Sequence, residues 1–465
     1  MIVTLTPPGR TGTFRPTLYP KSKEWGLHIM TNRATRPIGL ARRLLAGLSL
    51  AALMAAGAAQ ADTVLVTADH LVDVLAGKVV DRPAVLIVDG RITAVGAQGT
   101  VTAPADAHTV ALPGLTLLPG LIDMHTHMTS QPTWNGYESL GVTTADKAIA
   151  GVANAKVTLM AGFTAVRNVG ADAFTDVALR NAIDSGLVPG PRMKVSGPLL
   201  GATGGHCDEN LLPADYGRVG EGVADSPWGM VQKVRWVKKF GADLVKVCAT
   251  GGVLSKGDSP GAQQLSQEEL DAIAKEAHAL GMKVAAHAHG TDGIKAAIRA
   301  GIDTIEHASL IDDEGIEMAK KRGTWLGMDI YNDDYILAEG AKVGMLPESL
   351  EKERKIGRVQ RENFAKAVKA GAKMIYSTDA GVYPHGDNGK QFAKMVQWGM
   401  TPLEAIRAAT RNAAEAMGTA QDIGAVAVGR YGDLVAVKGD PLADVTLLEH
   451  IPVVIKGGEV VKDQR

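Results

Sequence analysis

Eight short apolar runs recur between residues 119 and 378, and longer amphipathic segments separate them. The candidate strands fall at 119–126, 163–168, 192–197, 243–249, 283–288, 303–307, 325–329 and 373–378. Helix-like segments lie between them. Ser266 opens one, with Glu269 three residues on, the pattern of a capping box. Strand–helix units in series predict an α/β chain whose parallel strands close into a (β/α)8 TIM barrel. Working side chains in such a barrel gather at the C-terminal ends of the strands.

Ligand-type residues stand at those ends. The first run ends in Met-His-Thr-His (124–127), and in a strand the spacing of His125 and His127 points both imidazoles to one face. Lys246 lies in Asp-Leu-Val-Lys-Val-Cys (243–248), His287 and His289 in Ala-His-Ala-His-Gly (286–290), His307 in Thr-Ile-Glu-His (304–307) and Asp379 in Ser-Thr-Asp-Ala-Gly (377–381). Six of the twelve histidines (125, 127, 206, 287, 289 and 307) occupy strand ends or the loops just after them. Neutral imidazole is the commonest ligand for zinc-like ions. An ammonium cannot ligate a metal, so Lys246 is either salt-bridged to an interior acid or converted by CO2 to a carbamate that bridges two cations.

The order His-x-His, Lys, His, His, Asp, each after its own strand, resembles the binuclear metal-dependent amidohydrolase superfamily. Lys-Val-Cys-Ala-Thr-Gly-Gly-Val (246–253) and Gly-Met-Thr-Pro-Leu-Glu-Ala-Ile-Arg-Ala-Ala-Thr (399–410) extend the likeness over nearly the whole chain after residue 62. More narrowly the chain is similar to the imidazolonepropionase-like branch, which contains Xaa-Pro and Xaa-Arg/Lys dipeptidases and ochratoxin amidases. The resemblance implies two divalent ions, most simply zinc. It assigns one to His125, His127 and Asp379, the other to His287 and His307, with N6-carboxylated Lys246 bridging. Asp379 would also move the proton from attacking water to the leaving amine. His289, where related dipeptidases often carry tyrosine, would donate to the developing oxyanion, and His206 would bind a substrate carboxylate. Homo-oligomers are common among such relatives.

Composition agrees with one large enzyme, at 465 residues and 46% apolar. Aromatics are 4% and residues 62–465 hold 41 basic against 49 acidic side chains, so nothing points to nucleic acid. The basic excess lies in residues 1–61, with eight Lys/Arg and one acid. From Met30 they read as a secretory leader: arginines, an apolar run from Leu44 to Ala59, and a small-x-small Ala59-Gln60-Ala61 cleavage pattern. The alternative, a membrane anchor, is disfavoured because a span needs about twenty apolar residues. Residues 1–29 read as an extension without structure, and the mature protein is expected in the periplasm or outside the cell, with no membrane contact. Cys207 and Cys248 both neighbour proposed site residues and are expected as buried free thiols, although two cysteines in that compartment could pair.

Residues 62–118 and 420–465 carry strand-length runs broken by turns, with a hairpin at Asp89-Gly90. The resemblance implies that these flanks form one small β-sandwich beside a barrel of residues 119–419. Arg167 is expected to pair with acids at the barrel mouth, and His385 to line the pocket. The sequence therefore predicts a secreted amidohydrolase that cleaves dipeptides or N-acyl amino acids with a free C-terminal carboxylate, ochratoxin-type amides included. A cyclic-amide hydrolase or deaminase is the second reading, and a non-catalytic metal-binding protein the third. Lys246 argues against mononuclear deaminases, which lack it.

Overall fold

The computed structural model describes residues 63–465. The segments expected to form a leader and the extension before it lie outside the described residues. All eight expected runs contain a strand: Leu121–Thr126, Phe163–Asn168, Arg192–Val195, Leu244–Cys248, Lys283–Ala288, Thr304–His307, Trp325–Gly327 and Met374–Ile375. With two short additions, Leu200–Gly201 and Gly222–Val223, they form parallel sheets of three and seven strands. Helices connect successive strands, and Ser266 and Glu269 make the reciprocal capping box at the start of Gln267–Ala279. Short runs such as Val284–Ala288 are buried throughout, as strands covered on both faces must be.

The last expected strand is shorter than its apolar run. Only Met374 and Ile375 pair as a strand; the next N–H, that of Tyr376, donates instead to the Ala408 carbonyl (3.1 Å), and Asp379 adopts a left-handed φ of 61°. Hydrogen bonds still tie this segment to the first strand: Met124 N–H to the Tyr376 carbonyl (2.8 Å), Asp379 N–H to His125 (2.8 Å), and His127 N–H to Ala380 (2.7 Å). At the other break, Asp243 N–H donates to the Val195 carbonyl at 2.7 Å.

The two flanks share a single eight-stranded sheet. His108–Pro119 pairs in parallel with Thr63–Asp73 and antiparallel with Leu434–Lys438. Asp89 and Gly90 both have positive φ (48° and 78°), the type I′ turn that joins twisted antiparallel strands. Alternate residues such as Val64, Val66 and Ala68 turn inward on a core of their own, joined by Leu434, Ala436 and Ile455. Among the described residues no helix is long and apolar enough to cross a membrane.

Candidate metal centre

Strand order brings eight sequence-selected residues to one cavity of about 210 Å³. His125, His127, His206, Lys246, His287, His289, His307 and Asp379 all line it. Lys246, on the middle of its strand, and Cys248 share a face, and Cys248 is in register with His287. His307 sits one residue past Glu306, so strict alternation would turn it away. Its left-handed φ of 67° breaks the alternation. Non-glycine residues in that region cost about 1–3 kcal/mol each, and here two of them, His307 and Asp379, carry converging side chains.

The donor atoms fit a metal pair. Asp379 Oδ1 is 3.1 Å from Nε2 of both His125 and His127, and the three form one close group. Nδ1 of His127 faces the Gly170 carbonyl at 3.3 Å, which leaves Nε2 for an ion. A second group holds His287, His289 and His307, and a third joins His307, Asp329 and Asp379. The His289 ring lies 4.7 Å from that of His287 and 4.6 Å from that of His307, so the geometry admits it as a further ligand. Burial and the charges of neighbouring groups hold His287 and His289 well below the usual histidine range, in the neutral form that ligates. Burial opposes ionisation of Asp379, yet His125 and His127 hold it well below the usual carboxylate range.

Lys246 is the anomaly. It is 1% exposed, and its side-chain amine makes no hydrogen bond or ion pair among the described residues. Burial pushes its amine down to about 8, against the pull of Glu306 and Asp379. The salt bridge considered for it from sequence is not formed.

Several working neighbours carried no signal in the sequence. Asp329 Oδ1 holds His307 Nδ1 at 2.9 Å, as a carboxylate that orients a ligating imidazole does. Gln360 reaches the same oxygen at 3.0 Å, and Asn332 donates to both Asp329 (2.7 Å) and Asp379 Oδ2 (3.1 Å). Asp123 staples the first strand to the last, accepting from Thr378 Oγ1 at 2.5 Å and Asn388 at 2.8 Å. Arg167 pairs with an acid, but deep in the interior rather than at the mouth. It donates to Glu306 at 2.5 Å, Thr304 at 2.9 Å and the Met124 carbonyl at 2.6 Å. Glu306 also lies 3.4 Å from His125 Nδ1, although that nitrogen has no hydrogen bond in line.

Two expectations are corrected. Cys207 and Cys248 form a disulfide rather than free thiols, because the loop after Leu200–Gly201 returns to the strand with 5.9 Å between the Cα atoms, within bridging reach. Their separation of 41 residues hid that approach. His385 does not line the cavity. Its Nε2 donates to the His127 carbonyl (3.2 Å) and its Nδ1 faces Thr158 (3.3 Å), so it braces the His-x-His turn from behind.

His206 stands at the cavity wall with its ring stacked 4.0 Å from that of His287. A relay fixes it: His206 Nδ1 to Ser255 Oγ (2.8 Å), Ser255 to Asp258 (2.7 Å), and Asp258 to Lys352 (2.7 Å) on the helix Pro347–Lys369. That helix buries Glu353, Ile356 and Gln360 over the cavity and exposes its charged face, where Lys355 pairs with Glu351 and Arg358 with Glu362.

The family model for the amidohydrolase family matches residues 116–461. An ochratoxinase of Aspergillus niger is 32% identical over 410 residues, 82% of this chain and 83% of its own length. An imidazolonepropionase of a Geobacillus strain is 23% identical over 425 residues, 82% of this chain and 91% of its own. Among solved structures, a Xaa-Pro dipeptidase with methionine bound in its active site superposes with a TM-score of 0.81 at 34% identity, covering 86% of this chain and all of the other. The chain belongs to the amidohydrolase family, in its imidazolonepropionase-like branch, and is a hydrolase of amide bonds.

Proposed function

We propose that this protein is a binuclear zinc amidohydrolase of the periplasm or extracellular space that cleaves dipeptides or N-acyl amino acids bearing a free C-terminal carboxylate. The observation that carries the reading is Lys246: a fully buried amine with no partner, set among imidazoles and carboxylates. Addition of CO2 to its neutral amine, with release of one proton, would make it a carbamate anion whose charge suits a pair of cations. His125, His127 and Asp379 would hold one ion, and His287 and His307 the other, with Asp329 orienting His307. Imidazole and carboxylate donors suit zinc. When bound, such ions bring the pKa of water down to about 7 and polarise the amide carbonyl.

The side chains then divide the remaining work. Asp379 keeps Oδ1 toward His125 and His127, and its Oδ2 takes the proton of the attacking water and passes it to the leaving nitrogen. His289 is held through Nδ1 by Ser309 at 2.8 Å, so Nε2 donates to the carbonyl oxygen as charge develops there. His206 donates through Nδ1 to Ser255, which in turn donates to Asp258, so its Nε2 takes up a proton when it binds the substrate carboxylate. The methionine bound by the Xaa-Pro dipeptidase and the likeness to an ochratoxinase both support a leaving group with a free carboxylate. The Cys207–Cys248 disulfide supports an oxidising compartment, as the leader in residues 30–61 does.

The architecture belongs to the same proposal. The hydrogen bonds between the first and last parallel strands, and between Asp243 and Val195, support closure into a (β/α)8 barrel over 119–419. The separate core of the flank sheet supports a β-sandwich built from 62–118 and 420–465.

The test is Lys246→Ala. The variant is expected to lose metal, read by elemental analysis, together with turnover of free dipeptides, and to regain part of both with short-chain carboxylic acids. Full metal content and full rate in the variant would remove the carbamate from the mechanism. Equal rates on carboxy-terminal acids and amides would remove the role given to His206.

A further inference from the structure

We infer that Glu353 is a specificity residue that recognises a cationic group, an ammonium or guanidinium, on the part of the substrate lying against Asp329. The inference rests on the amide-hydrolase reading and deepens it. Glu353 lines the catalytic cavity and is 5% exposed. Unlike the other acids there, it is committed to nothing. Asp379 serves His125 and His127, and Asp329 serves His307, Asn332 and Gln360. The Glu353 carboxyl makes no hydrogen bond or ion pair among the described residues.

The two half-buried cations on its own helix are already taken. Lys352 is bound by Asp258, and Arg361 reaches Asp333 at 2.9 Å, Asp334 at 3.1 Å and the Ile330 carbonyl. The charged groups acting on Glu353 are Asp333, Asp329 and Asp379 against a single guanidinium, that of Arg361. Burial and these carboxylates push the Glu353 carboxyl up to about 8, so near neutrality it keeps a proton until a cation from outside the protein takes the proton's place. A hydrophobic side chain at this position would pack against Ile336 and Ile356 without any desolvation cost, so packing gives no reason for a carboxyl here. His206 is anchored separately, by the loop containing Ser255 and Asp258. The cavity thus offers one wall to an anion and another to a cation, which suits a zwitterionic peptide.

The test compares the metal-loaded protein with its Glu353→Gln variant on four peptides: Lys-Phe and norleucyl-Phe, each with a free or an acetylated amino terminus. The side-chain arm separates a basic residue from its neutral isostere, and the terminal arm separates the peptide's own ammonium. One of the two charges is expected to raise kcat/KM about 10- to 100-fold in the parent protein, chiefly through KM, and Glu353→Gln is expected to abolish that preference while sparing the neutral peptides. An unchanged preference in the variant overturns the inference. So does an equal loss on all four peptides with lowered metal content, which would make Glu353 a support of the metal centre. If no peptide is cleaved the amide-hydrolase reading fails instead, and calorimetric binding of the same four peptides still reads the preference.

Discussion

Arg167→Met isolates the electrostatic floor of the site. The guanidinium makes three buried contacts, with Glu306, Thr304 and the Met124 carbonyl. Methionine keeps the apolar stem and removes the charge, leaving a carboxylate at 0% exposure with only the weaker pull of His125 and Lys246. Breaking a buried pair on one side costs about 3–5 kcal/mol. With a urea m-value of about 3 kcal/mol/M or somewhat more for a chain of this size, the unfolding midpoint should fall by roughly 1–1.5 M. Survival of a brief protease pulse across a urea series, on chelator-treated protein, measures it. The pH dependence follows from the direction of the shift. In the parent protein burial would raise the Glu306 pKa, but Arg167 and then His125 hold it well below the usual range. Its contribution is therefore present above the unfolded value and lost only as pH falls through the lower folded one. Without Arg167 the effect of burial prevails and the folded pKa rises, so the variant regains stability as pH falls toward about 4.3, the unfolded value. The deficit should be widest near pH 8 and narrow toward pH 5. Arg167→Met/Glu306→Gln should recover most of it. A single variant within about 1 kcal/mol of the parent at both pH values, or a double variant as unstable as the single, would refute the reasoning.

Gly252→Ala places a Cβ 2.2 Å from His206 Nδ1, so the ring must leave Ser255; KM for carboxylate-bearing peptides should rise about tenfold with kcat less affected, and an unchanged KM would count against His206. Reduction of Cys207–Cys248 should raise KM in the same way, because it frees the residue beside His206 from the strand that carries Lys246; steady-state kinetics with and without dithiothreitol decide it. Asp379→Asn should lower kcat by at least about 10²-fold on free dipeptides, and a rate near that of the parent would deny it the proton-transfer role.

Local pattern made a large part of this legible. The eight apolar runs, the Ser266 capping box and the Asp89-Gly90 turn depend on neighbours a few residues away; each run contains a strand, though some are shorter than expected, and the box and the turn form. So did the convergence of His125, His127, Lys246, His287, His307 and Asp379, because parallel strands deliver their ends to one side. What neighbours in sequence could not reveal were pairings across the fold. Glu306 and Asp329 look like any acid near a strand end, and their partners Arg167 and His307 are set by register and by the loop that follows. Glu353 reads as one of many charges on an amphipathic helix until that helix lies over the cavity. Cys207 and Cys248 look like isolated thiols until a loop folds back. Residue type and period determine which chemistry this chain carries. The long-range approach of segments, which no local spacing encodes, decides how each group is charged, held and partnered.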